Sequence, residues 1–305
     1  MPSKPKKIAP LKPKNGVFPN CHWMPEGAWE LYLDYLYERF PHISKQQWIK
    51  RMMCQQVVTA DGLCIAPDSK YLGNQHIYFY RELDFELAIP YRETVIFEND
   101  HIMLVDKPHF LPVAPTGSYL KETLLVRLRN KYQNNDLELC HRLDRETAGL
   151  VLLSKKSSNR SSYHQLFSDH KIKKTYWAVA AASQYKFPIK RCSRIVKGEP
   201  YFKMREVEGV INSETLIEQL EQNSGLSLYQ LTPKTGKKHQ LRLHMSNMKI
   251  PIKNDRFYPE LKLKEVEDFK QPLQLLAKRL EFIDPINGKN YRFESQLNLN
   301  WPFLD

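Results

Sequence analysis

Residues 141–149, His-Arg-Leu-Asp-Arg-Glu-Thr-Ala-Gly, run straight into Leu150-Val151-Leu152-Leu153, and this junction constrains the fold more than any other stretch. A short continuous apolar run bounded by turn residues reads as a strand buried on both faces. The charged segment ahead of it is then a turn where a sheet edge meets water. Within it Asp144 lies between Arg142 and Arg145, and neighbouring cations favour the ionised form of a carboxylate. Such a side chain suits a nucleophile or an electrostatic stabiliser and is a poor general acid. The plainer reading of the same string is a surface loop closed by an Arg–Asp ion pair.

The rest of the chain decides which context that turn sits in. At 305 residues, 42% hydrophobic and 26% charged, it is a globular sequence long enough for one large domain plus a smaller one. The longest apolar run, Tyr176–Ala182, is far short of a membrane span, and the lysine- and proline-rich start lacks an apolar secretory core, so the cytoplasm is the expected compartment. Five scattered cysteines read as reduced thiols rather than a disulfide or zinc framework. The formal net charge of +12 is uneven: residues 1–25, 171–195 and 233–253 carry basic residues and no acidic ones. Acid-free basic runs with Tyr176, Trp177 and Tyr185 interleaved point to a nucleic-acid partner; solvated faces are the alternative.

Three regions follow from the pattern. Residues 1–27 read as a basic flexible arm. In 28–92, Trp29, Leu33, Leu36 and Phe40 mark one helix, Ser44 and Gln47 the capping box of a second, and Asp61-Gly62 the turn of a hairpin. From 93 to 305 strand signals dominate, at 95–97, 102–105, 150–153, 175–182, 227–232, 276–282 and 291–293, with helical patterns at 118–131 and 161–170. The fold class is α+β, with a largely antiparallel mixed sheet and flanking helices preceded by a small αα-hairpin unit.

Four stretches in order resemble the RluA-type pseudouridine synthases: Val105-Asp106-Lys107-Pro108, the 141–149 segment, Lys174-Thr175-Tyr176, and Pro233-Lys-Thr-Gly-Lys-Lys-His-Gln-Leu-Arg-Leu-His244, with Asn254-Asp255 and Tyr258 after them. The 28–92 unit is more weakly similar to the alpha-L RNA-binding domain of many relatives. The resemblance implies a pseudouridine synthase fold and isomerisation of uridines in structured RNA, ribosomal first and transfer RNA next. It assigns catalysis to Asp144, Tyr176 and Arg242, and lets Arg142 fill the gap left by a flipped nucleotide. His141, Lys107, Lys174, Lys234, Lys237 and Lys238 are the further RNA-binding candidates. No metal, no cofactor and a monomeric chain are expected. Phe110, Ala148, Lys237 and Asn254 stand where the family has glycine, serine, arginine and glycine. Two other functions fit parts of the pattern: an RNA-binding protein that has lost its chemistry, and a glycosylase using Glu146 as a second carboxylate.

Overall fold

The computed structural model describes residues 9–262 and 268–301, and these divide into two compact units, one within 1–86 and 115–121 and the other within 87–114 and 122–305. In the first, β1 (Asn20–Met24), α1 (Tyr32–Arg39), α2 (Lys45–Met53), β2 (Val57–Thr59) and β3 (Gln75–Phe79) form two helices on a sheet of order β1-β3-β2. The capping box is made: the Ser44 hydroxyl accepts from the Gln47 N–H at 3.2 Å, and the Gln47 side chain accepts from the Ser44 N–H at 2.9 Å. Trp48, Leu36, Ile77 and Phe79 fill the core between helices and sheet. Asp61-Gly62 turns the chain as expected, with Gly62 at φ +85° and an isolated bridge from Val58 to Cys64.

The arm is shorter than 1–27 and, where described, not free. Residues 20–24 are β1, Val17 is buried, the Tyr80 hydroxyl donates to the Lys12 carbonyl at 2.7 Å, and the Lys14 ammonium lies 4.0 Å from the centre of the Tyr80 ring. The apolar side chains that anchor it are single residues among lysines and prolines, too sparse to register as a pattern. Residues 1–8 of the expected arm lie outside the described residues.

The second unit runs β4 (Thr94–Glu98), β5 (Ile102–Lys107), α3 (Leu124–Tyr132), β6 (Glu138–Leu139), β7 (Ala148–Ser154), α4 (Arg160–Ser168), β8 (Lys173–Ala181), β9 (Ile189–Lys197), β10 (Met204–Val207), β11 (Ser213–Asn223), β12 (Leu226–Pro233), α5 (Gln240–Asn247), β13 (Leu275–Ile283) and β14 (Asn290–Glu294). Its strands form one sheet of order β10-β9-β11-β12-β8-β13-β7-β5-β4, with β14 on β13 and β6 on β7. The α+β class stands, and every described pairing in this sheet is antiparallel except the short β13–β7 contact. β5 and β7 are buried along their whole length, the apolar runs Ile102–Val105 and Leu150–Leu153 being followed at the strand ends by the polar Asp106, Lys107 and Ser154. Where β7 begins, Gly149 sits at φ +108° and a side chain there would meet the Ala277 carbonyl at 2.4 Å, so only glycine lets β13 approach. α5 packs on one face against Ala178, Ile217, Tyr229 and Leu275, and α4 packs on Leu150 and Leu152.

Candidate active site

The turn between β6 and β7 carries Asp144, and α5 brings Arg242 to it from a segment almost a hundred residues away. Asp144 is half-buried, with its Oδ2 3.4 Å from Nη1 of Arg242 and its Oδ1 3.9 Å from Nε2 of His239. Arg242 is fully buried and held on its other edge by Asp255, Nε to Oδ2 at 2.8 Å and Nη2 to Oδ1 at 2.7 Å. Glu146 contributes a third carboxylate, 3.6 Å from Nη1. Burial works to discharge this guanidinium, but the Asp255 hydrogen bonds and the three carboxylate charges outweigh it, so its pKa is raised. The plane of Arg242 also lies 4.7 Å from the centre of the Phe257 ring.

Tyr176 lies on β8 within electrostatic reach of Asp144, and burial followed by that negative charge raises its phenol. Glu146 moves the other way: burial alone would raise it, yet Arg242 and Arg145 overcome the penalty and its pKa falls. Thus Asp144, Tyr176 and Arg242, the residues assigned to catalysis from the sequence, are brought together.

Two of the RNA-binding candidates are instead parts of the frame. The Lys107 ammonium is fully buried, donating to the carbonyls of Pro108 at 2.8 Å and Arg145 at 3.1 Å, and cannot meet a phosphate. Burial lowers its pKa to about 7, against the opposing pull of Glu146 and Asp144. His141 stacks on Phe167 at 4.5 Å, and its Nε2 accepts from the Leu152 N–H at 3.1 Å, so the ring is neutral and pins the turn to β7. Burial pushes its pKa down to about 3. Arg142, Lys234, Lys237 and Lys238 are exposed, and Lys174 is half-buried with its ammonium donating to the Thr235 carbonyl at 3.3 Å.

Residues absent from the sequence-derived site do much of the positioning. The Gln240 side chain accepts from the Thr235 hydroxyl and the Lys237 N–H and donates to the Glu214 carbonyl and Thr215, which fixes the 234–239 loop. His239, left-handed at φ +56°, reaches the Tyr258 hydroxyl through Nδ1 at 3.0 Å. Asp255 was visible only as part of a motif; the sign of its role was the arginine itself, since a buried guanidinium has to find a carboxylate.

The sequence and the fold match a known family. Residues 101–247 match the RNA pseudouridylate synthase family. The ribosomal large subunit pseudouridine synthase C of Rickettsia typhi is 31% identical over 214 residues, covering 67% of this chain and 67% of that protein. The chain belongs to the RNA pseudouridylate synthases, of the RluA type. The mitochondrial tRNA pseudouridine(32) synthase of Saccharomyces cerevisiae is 30% identical over 171 residues, 54% of this chain but only 36% of that protein. Among solved structures, human RNA pseudouridylate synthase domain containing 1 shares the fold with a TM-score of 0.56 at 20% identity, covering 69% of this chain and 85% of that one. Among the described residues no helix is long and apolar enough to cross a membrane.

Proposed function

We propose that this chain isomerises uridine to pseudouridine in structured RNA, ribosomal RNA first and transfer RNA next, with Asp144 as the essential carboxylate. The observation that carries the reading is Asp144, half-buried in the turn ahead of a buried strand, joined to a fully buried Arg242 and overlooked by Tyr176. In the reaction the bond from ring nitrogen 1 to the ribose breaks, the uracil turns, and carbon 5 takes the sugar. Nitrogen 1 ends with the proton and carbon 5 loses one, so nothing is oxidised or transferred from outside and no metal or cofactor is called for.

Arg242, fixed by Asp255, holds the Asp144 carboxylate in place against the sugar or the departing base. With its phenol raised, Tyr176 stays protonated and serves as a wall beneath the flipped uracil rather than as a standing base. Arg142, exposed on the turn, is read as the planar group that fills the vacated stack. Lys234, Lys237 and Lys238 track phosphates. The small unit expected at 28–92 is taken as an RNA-docking module ahead of the catalytic domain, and the whole as a cytoplasmic monomer.

Glu146 argues against the glycosylase reading, because a carboxylate whose pKa is lowered by Arg242 and Arg145 lacks the proton that a general acid must give. The direct test is tritium release from carbon 5 of uridine-labelled ribosomal and transfer RNA. The native chain is expected to release tritium and Asp144→Asn to release none. Undiminished release from the variant, or no release from either RNA by the native chain, would refute the assignment.

A further inference from the structure

A groove lies on the side of the sheet away from Asp144. Thr215 on β11 hydrogen-bonds to Gln240 and His244 of α5, so its neighbours Glu214 and Leu216 point to the opposite face. On that face Lys190, Leu216 and Thr232 lie abreast across β9, β11 and β12, and Lys173, Glu281 and Arg292 lie abreast across β8, β13 and β14. They line a groove of about 770 Å³. Its cations are Lys171, Lys173, Lys174, Lys190, Lys234 and Arg292, against Glu214 and Glu281 as the carboxylates.

The side chains of Lys173, Lys190 and Arg292 are each more than three-fifths exposed despite ion pairs of 3.7 Å to Glu281, 3.1 Å to Glu214 and 3.5 Å to Glu294. Exposed pairs of this kind are worth little and exchange readily for phosphate. Between the cations the groove presents apolar surface that folding leaves uncovered, with Leu216 38% and Ile283 59% exposed. A duplex would offer such a floor only phosphates and sugars, whereas an unpaired strand offers bases.

We propose that this groove binds the single-stranded stretch of RNA that flanks the target uridine, with its lysines on the phosphates and its apolar floor beneath the bases. Continuity with the catalytic turn supports this path. Lys234 lines the groove, and five residues later in the same loop His239 reaches Asp144. The word target rests on the isomerase reading; the binding itself does not.

The test uses the full chain with two fluorescent probes, a 20-nucleotide oligouridine and a blunt 20-base-pair RNA duplex. Replacing Lys173, Lys190 and Arg292 together with glutamine is expected to weaken oligouridine binding about tenfold and lower the salt slope by about two, as three lost phosphate contacts to a single strand would. Duplex binding is expected to change less than twofold. Leu216→Ala with Ile283→Ala should weaken oligouridine binding and leave the salt slope unchanged. Photocrosslinking of the native chain to 4-thiouridine-substituted oligouridine should mark peptides spanning 170–174 and 281–292. Equal losses on both probes, unchanged oligouridine binding, or no crosslink in those peptides would overturn the groove. Oligouridine binding at the groove by a native chain that releases no tritium would uphold this inference while refuting the isomerase.

Discussion

Asp255 holds the far edge of the Arg242 guanidinium with two hydrogen bonds of 2.7 and 2.8 Å, while the near edge of the same group stands 3.4 Å from Asp144. Because a planar guanidinium transmits orientation from one edge to the other, Asp255 sets the position of the Asp144 carboxylate. Asp255→Asn keeps the shape and removes the charge. It is expected to lower kcat roughly 10- to 100-fold with KM within about twofold, and to cost about 3 kcal/mol of stability, the lower range for breaking a buried pair, since Asp144 and Glu146 still face the arginine. Tritium-release kinetics and urea unfolding read the two effects separately, and an unchanged kcat would refute the positioning role.

Of the four departures from the family pattern, Phe110 and Asn254 have left-handed backbone, at φ +67° and +62°. Phe110 carries that strain because its ring is buried beside Tyr91 and Phe269, with ring centres 6.3 and 5.2 Å away. Phe110→Gly would relieve about 1–2 kcal/mol of backbone strain and forfeit about 3–5 kcal/mol of packing. Packing wins, so the variant is expected to be less stable by about 2 kcal/mol in urea unfolding. A more stable variant would show that the loop is strained without compensation.

The turn at 141–149 and its strand were legible because charge abutting an unbroken apolar run admits few folds, and the structure places Asp144, Tyr176 and Arg242 near one another. Lys107 and His141 did not. Both are polar residues in a motif, and nothing local tells whether a lysine before proline faces water or carbonyls; that is settled by β5 and β7 pairing across more than forty residues. Strands such as β11 were missed because Ser213–Asn223 is polar at most positions, the expected composition when one face is open to solvent. Basic runs were likewise overcounted as RNA surface: Arg242 and Arg191 belong to acid-free stretches yet are claimed by Asp255 and Glu206.

Lys237 and Lys238 sit exposed on the loop that Gln240 fixes, so their charges can change without disturbing Arg242. Replacing both with glutamine is expected to reduce the salt slope of RNA binding by between one and two, on the counterion release of about 0.7–0.9 per phosphate contact. Turnover at saturating RNA should stay within about threefold. Fluorescence anisotropy across a salt series checks the slope, and an unaltered slope would remove these lysines from the RNA-binding surface.

His244 on α5 is fully buried, with Nδ1 3.0 Å from the Thr215 hydroxyl and Nε2 3.0 and 3.1 Å from the hydroxyls of Ser193 and Ser213. Burial lowers its pKa to about 4; Glu206, 3.8 Å away, opposes the shift, and Arg191 adds to it. Above pH 6.5 the ring is neutral whether the chain is folded or not. Between pH 6.5 and about 4 the unfolded chain takes up a proton that the folded one refuses, so stability is lost as pH falls, by up to about 1.4 kcal/mol per pH unit from this side chain. His244→Gln keeps hydrogen-bonding capacity and removes the titration. Its urea-unfolding free energy is therefore expected to fall less steeply than that of the native chain across pH 6.5 to 4, the difference in slope approaching one proton. Parallel curves for the two proteins would mean that His244 is not the buried neutral group its surroundings describe.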